Sequence, residues 1–260
     1  MKKSPLSLRI GGELFVRMFC RRNFSVEGKE NIMKESSGNN FIIVSSHFCN
    51  LDANAAIKVF GGNFNLLVII ESVLFRSLPH LILILLGGKN NFAPLSYYYK
   101  KDGGKEGAFN PHNFNMIADR MRQQDKIPWI AIHQFSLNGR MNRAKVGSIY
   151  LAQKTDAQII PVALEVSGIS VTLEGLIEWF KGILWGVKTK YHIGEAIRLS
   201  PIDIEIIETV FNKRKTGSII TPEDKVAFKK AHTLLKNQAD MVATIIANML
   251  PREQRGFYNF

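Results

Sequence analysis

Cysteine is scarce in this sequence: Cys20 and Cys49 are the only two among 260 residues. Two thiols make neither a disulfide framework nor a cysteine-based metal site, and they fit a reducing compartment. Long apolar runs are missing as well. The most apolar stretch, Leu66 to Leu86, is interrupted by Glu71, Arg76, Pro79 and His80, whereas a bilayer crossing asks for about twenty consecutive apolar residues. No clean secretory signal is recognisable, so any membrane contact is expected to be peripheral. Acids are in deficit: 22 Asp and Glu stand against 34 Lys and Arg, a formal net charge of +12. Such a surplus calls for an anionic partner: nucleic acid, anionic lipid or a phosphorylated substrate. Nucleic acid is not expected, because there is no zinc-finger spacing and no aromatic RNA-binding signature.

What the chain does have is Phe41-Ile42-Ile43-Val44-Ser45-Ser46-His47-Phe48-Cys49-Asn50-Leu51-Asp52. Its first half is a short β-branched apolar run, the pattern of a buried strand. Its second half predicts a helix opening at Asn50, a good N-cap, and running through residues 51–59. His47 then ends the strand, and Asp52 sits in the first helical turn, where the helix dipole favours a negative charge. Within one helix, residues five apart point roughly 140° away from each other; across a strand-to-helix turn they can meet. A carboxylate on one ring nitrogen fixes the tautomer and leaves the other to take a proton. Spacing alone does not separate this general base and its orienter from an ordinary loop histidine and a helix-end acid.

The surroundings resemble the glycerolipid acyltransferases, in particular the bacterial lysophosphatidic acid acyltransferases. Their first motif reads N-H-x-S-x-x-D; Ser46-His47-Phe48-Cys49-Asn50-Leu51-Asp52 keeps the His and the Asp and replaces the Asn and the Ser. Val26-Glu27-Gly28-Lys29-Glu30-Asn31-Ile32 is similar to the family's V-x-G-x-E-N-I/L lead-in. Arg143-Ala144-Lys145-Val146-Gly147-Ser148-Ile149-Tyr150-Leu151-Ala152 resembles its F-K-x-G-A-x-x-L-A helix entry, and Ala157-Gln158-Ile159-Ile160-Pro161-Val162-Ala163 its A-x-I-V-P-V-A strand. Gly194-Glu195-Ala196-Ile197-Arg198-Leu199 matches a late G-E-P-I-x-L, and Leu250 to Tyr258 an L-P-x-x-x-R-G-x-Y ending. The second signature, F-P-E-G-T-R-S, departs most. Ile132-His133-Gln134-Phe135-Ser136-Leu137-Asn138 carries Gln for Glu, Phe for Gly and Leu for Arg. A phosphate needs guanidinium forks and bare backbone amides, and both residues that supply them are replaced.

The resemblance implies a one-step acyl transfer with His47 and Asp52 as the catalytic pair. Gln134, Ser136, Arg140, Arg143 and Lys145 are the acceptor-binding candidates, the three cations substituting for the missing Arg. It implies no metal and no prosthetic group, only acyl-CoA or acyl carrier protein (acyl-ACP) as co-substrate. The expected reaction converts 1-acylglycerol-3-phosphate to phosphatidic acid at the cytoplasmic face of a membrane. Another lysolipid or an amino-acid lipid is an alternative acceptor, and a catalytically impaired membrane-surface binding protein is an alternative function. Cys49 beside His47 also allows a Cys–His acyl-enzyme, although the family's residue there is a Ser outside the mechanism.

Alternating strands and helices predict an α/β fold with a mixed, largely parallel sheet flanked by helices. The division expected is 1–23, a basic amphipathic membrane-associating helical segment; 24–200, the α/β domain; and 201–260, a C-terminal helical extension. In the first, Leu8, Leu14, Phe15, Met18 and Phe19 suggest one helical face, interrupted at Gly11-Gly12. That helix can lie in a lipid interface or pack on the domain. Lys89, and a basic aromatic loop from Tyr97 to Lys105, are further candidates for anion contact. Pro161 is expected at a bulge or sheet edge. A two-tryptophan segment, 173–185, reads as core or interface. Thr221-Pro222-Glu223-Asp224 predicts the start of a long helix to Met249, with Leu234, Leu235, Val242, Ile245 and Ile246 inward.

Overall fold

A computed structural model describes residues 2–20, 23–35, 40–48, 52–71, 89–95, 111–133, 139–167 and 186–260. In chain order the described elements begin with α1 (Leu6–Cys20), β1 (Phe24–Glu27), α2 (Lys29–Glu35), β2 (Phe41–Ser45), α3 (Asp52–Phe60) and β3 (Leu66–Glu71). There follow β4 (Phe92–Leu95), α4 (Pro111–Gln124), β5 (Ile127–Ala131), α5 (Gly147–Thr155), β6 (Gln158–Ser167) and β7 (Lys188–Ile193). Two helices, α6 (Glu205–Thr216) and α7 (Pro222–Asn248), precede short 3-10 turns at Arg252–Gln254 and Gly256–Tyr258. The strands form one sheet in the order β1-β7-β6-β2-β5-β3-β4. From β6 to β4 every pairing is parallel; β7 runs antiparallel to β6, and β1 parallel to β7. The fold is α/β, with a mixed, largely parallel sheet between helical layers.

Strand β2 is central and buried along its whole length, so its apolar run needs no alternation. Phe41 and Ile43 face the core shared with α1 and α3, while Ile42 and Val44 face the core shared with α4, α5, α6 and α7. After β2 the chain departs into α3 on the first face; after the adjacent β5 it departs into α5 on the second. Neighbouring parallel strands whose exits go to opposite faces leave a crevice at their C-terminal ends, the usual ligand position in open α/β sheets. His47 stands at that crevice.

Several sequence expectations are corrected. Gly11-Gly12 does not break α1, which is continuous; a Cβ on Gly12 would meet Ile57 Cγ2 at 2.7 Å, so the glycine lets α1 lie close on α3. The inward face of α1 is Leu8, Val16, Phe19 and Cys20, whereas Leu14 and Met18 are exposed. Pro161, expected at a bulge or an edge, is at a bulge, inside the sheet between β2 and β7. It lies where the partner chain carries one more residue between Ile193 and Ile197 than β6 does between Val162 and Ile159, and its carbonyl accepts from Gly194 N at 2.9 Å. Leu234 is exposed rather than inward, while Leu235, Val242 and Ile246 are buried. The start of α7 is as expected: Thr221 and Asp224 form a reciprocal capping box with Pro222 at the first helical position. The two-tryptophan segment and the Tyr97–Lys105 loop lie outside the described residues.

Candidate active site

At the end of β2 the backbone continues the sheet by other means. Ser46 N donates to Val162 O at 3.1 Å, and the Ser46 hydroxyl accepts from Leu164 N at 3.0 Å. His47 follows, its Nδ1 2.7 Å from Asp52 Oδ2. The same carboxylate oxygen accepts from Phe48 N at 2.8 Å. Asp52 is the first residue of α3 and is 1 % exposed, so its negative charge depends on these donors and on the helix N-terminus. With Nδ1–H donating to the carboxylate, the neutral imidazole carries its lone pair on Nε2. This is the geometry of a general base and its orienter.

The turn is also held from the second face. His133, 3 % exposed, follows β5 and accepts from His47 N at 3.2 Å through its Nε2. A ring nitrogen that accepts has no proton, so His133 serves here as a neutral acceptor. The His133 ring lies 5.7 Å from that of Phe48, and Phe48 is buried in the core beneath α4 and α5. The sequence reading assigned His133 no role. Its position inside the altered second motif, where the family has Pro, and just past a strand end, was the signal available.

Beneath Asp52, on the α3 face, the Tyr191 and Trp129 side chains are buried. Burial, with the Asp52 carboxylate adding to it, pushes the Tyr191 phenol well above its ordinary pKa. The hydroxyl therefore stays protonated beside the acid. Trp129 and Ser45 are the neighbouring polar groups, although neither Tyr191 OH nor Trp129 Nε1 forms a hydrogen bond among the described residues.

The remaining predicted residues separate into three groups. Arg140, Arg143 and Lys145 are exposed on the segment that joins the second motif to α5. That segment reaches the His47 turn through the backbone: Lys145 N donates to Ile132 O at 2.7 Å, and Ile132 N donates to Ser45 O at 2.8 Å. Gln134 and Ser136 lie outside the described residues, as does Cys49. Lys89 is at the other end of the sheet, in the 3-10 turn that precedes β4. There the neighbouring Asn91 side chain donates to Leu66 O at the start of β3. Because β3 and β4 run parallel to β2's neighbour β5, Lys89 is a strand length from His47 and takes no part in this site.

Among the described residues no group of three or more His, Cys, Asp or Glu side chains is arranged to hold a metal ion. Nor, among them, is any helix long and apolar enough to cross a membrane. No family model matches the sequence, and no curated protein matches it. Among solved structures, the chain is similar to the crystal structure of the 1-acyl-sn-glycerophosphate (LPA) acyltransferase PlsC from Thermotoga maritima, at 16% identity and a TM-score of 0.46, over 91% of this chain and 78% of that one.

Proposed function

We propose that this chain is an O-acyltransferase that moves a fatty acyl group from a thioester of coenzyme A or acyl carrier protein to the hydroxyl of a lysolipid. The observation that carries the reading is the 2.7 Å contact between His47 Nδ1 and Asp52 Oδ2 at the mouth of the crevice, within a motif that keeps the His and the Asp of that enzyme family. In the reaction, His47 Nε2 takes the proton of the acceptor hydroxyl as that oxygen attacks the thioester carbonyl. Asp52 steadies the imidazolium that forms. Collapse of the tetrahedral intermediate breaks the C–S bond, and the imidazolium returns its proton to the departing thiolate. One ester forms, one thioester is lost, and no acyl-enzyme is needed.

The first acceptor proposed is 1-acylglycerol-3-phosphate, its phosphate met by Arg140, Arg143 and Lys145. Leu137 and Phe135, which replace the family's Arg and Gly, favour a second reading with another lysolipid as acceptor. Peripheral membrane association is supported by the outer face of α1. Leu6, Ile10, Leu14 and Met18 recur every fourth residue and are all exposed, Leu14 by 61%. Exposed Lys2, Lys3 and Arg17 lie on the same end or helix. Arg9 lies against Gly61, and Gly12 against Ile57 and Asn54. The two helices are thus antiparallel, and the Met18 end of the apolar stripe lies toward the Asp52 end of α3. An apolar stripe with basic neighbours suits an anionic lipid surface.

A panel of lysolipid acceptors with labelled acyl-CoA and acyl-ACP donors tests the reading. Ester formation on 1-acylglycerol-3-phosphate is expected. Transfer to a different lysolipid only would replace the acceptor, and vesicle binding with no transfer to any acceptor would favour an inactive surface-binding protein.

A further inference from the structure

The cationic segment is tied to the second motif at Lys145, whose N donates to Ile132 O, but most of its described backbone contacts lie elsewhere. Those at Met141 and Ala144 come from the far end of the chain. Met141 N donates to Gln254 O at 2.9 Å, and Phe257 N donates to Met141 O at 3.0 Å, so one residue from each of the two 3-10 turns pairs with Met141 as a strand would. Ala144 N donates to the Tyr258 hydroxyl at 2.8 Å, and that hydroxyl donates in turn to Asp240 Oδ1 of α7 at 2.7 Å. Gln254 Nε2 donates to Val166 O at 2.7 Å, which fixes the tail to β6 beyond the point where β2 ends. Gly256 sits at φ +53°, and a Cβ there would come within 2.2 Å of Met141 O. Only a glycine permits that approach. Finally, the Arg143 guanidinium lies 5.3 Å from the centroid of the Phe257 ring, within cation–π range.

Met141 is buried by these contacts, while Arg140, Arg143 and Lys145 remain exposed on either side of it. The tail thus anchors the backbone of the segment and leaves its charges outward, and Phe257 governs where one of those charges stands. We propose that the C-terminal tail from Gln254 to Tyr258 is a positioning element of the acceptor site, in which Phe257 aims Arg143 at the phosphate of the acceptor. This rests on the proposed acceptor role of Arg140, Arg143 and Lys145. It explains why the tail signature and the basic segment, about a hundred residues apart in sequence, act as one unit.

The test uses the full chain and a short-chain, water-soluble 1-acylglycerol-3-phosphate, with the matching monoacylglycerol as the acceptor without phosphate. Dissociation constants are measured by titration calorimetry, and KM and kcat by thiol release. Phe257 is half-exposed, so Phe257→Leu should leave folding intact. It should weaken binding of the phosphate acceptor and raise its KM about two- to fivefold, the size of an exposed cation–π contact. Turnover at saturation and the monoacylglycerol values should not move, and Phe257→Trp should restore the wild-type values. Tyr258→Phe should in addition speed hydrogen exchange at the Ala144 amide. If Arg143→Ala weakens the phosphate acceptor but Phe257→Leu does not, or if Phe257→Trp fails to rescue, the positioning role is wrong and the acceptor cations stand. If neither Arg143→Ala nor Lys145→Ala affects it, or if wild type binds both acceptors equally, the acceptor cations fall and the tail's role falls with them.

Discussion

The His47 turn and the Arg140–Lys145 segment lie side by side, yet they are built in opposite ways. In the turn, the two reactive side chains and one of their main donors, Phe48 N, come from six consecutive positions. A strand that gives way to a helix brings the two side chains together, and His133, Val162 and Leu164 steady the chain at Ser46 and His47. The cationic segment has no such local logic. Its charges are exposed, and the backbone that carries them is held by Gln254, Phe257 and Tyr258 at the chain's end. Proton transfer tolerates little displacement, since a general base must stay within hydrogen-bond reach of its proton. Recognition of a phosphate by several exposed cations tolerates more. On the proposed reading, the locally built region is the one whose geometry must be fixed, and the remotely held region is the one where specificity would change without disturbing the base.

Changes within the turn should therefore cost most. Asp52→Asn removes the charge that steadies the imidazolium and offers an amide where Nδ1–H needs an acceptor. Turnover should fall about 10²- to 10⁴-fold, measured as kcat with a saturating acceptor. A loss under threefold would mean that the turn is not the centre of the chemistry. His133→Phe keeps a ring against Phe48 but leaves His47 N without its acceptor. Unsatisfied buried donors cost about 1–3 kcal/mol of stability, so the melting temperature should fall, and a displaced His47 should lower kcat while the acceptor KM stays near wild type. Equal damage to KM would show that the two regions are not separable.

In the cationic segment, Arg140→Ala or Lys145→Ala should lower kcat/KM for 1-acylglycerol-3-phosphate about tenfold or more, since charged hydrogen bonds contribute roughly 1.5–3 kcal/mol. Monoacylglycerol should be nearly indifferent to both. The smallest effect belongs to α1, outside both regions. Leu14→Asp should reduce sedimentation with anionic vesicles severalfold, as apolar burial in the interface and electrostatic attraction are both lost. Turnover of a soluble short-chain acceptor should be unchanged. Slower turnover on that acceptor would tie α1 to the chemistry rather than to delivery.

The His47–Asp52 pair was legible in the sequence because both side chains lie within one short stretch, where strand and helix patterns can be read. The parallel sheet was legible too, because β2, β5 and β6 are short apolar runs separated by helical spacing. What could not be read was which surfaces meet. Leu8 and Leu14 look alike among the apolar residues of a helix, but only Leu8 is buried in the core. Gly11-Gly12 suggested a weak helix, and its meaning emerged only from the closeness of Ile57. Pro161 suggested a bulge or an edge because a proline lacks a ladder donor; the neighbouring chain's extra residue between Ile193 and Ile197 decides for the bulge. Lys89 was a candidate only as the basic residue that follows Gly87-Gly88, and strand direction puts it at the other end of the sheet from His47. His133 was visible as a residue but not as a partner of His47 N, since nothing in the sequence states that β5 lies beside β2.

The central claim, that His47 is the base in a direct acyl transfer, is tested most directly by comparing wild type with His47→Ala. The two proteins should have matched circular dichroism and melting temperature. Each is given labelled acyl thioester and the lysolipid that performs best in the acceptor panel, and ester and free thiol are quantified together. Wild type should release one thiol per ester with no acyl group retained on the protein, and His47→Ala should be slower by at least about a hundredfold. Equal rates in the two proteins, or a labelled acyl-enzyme isolated from wild type, would contradict the account.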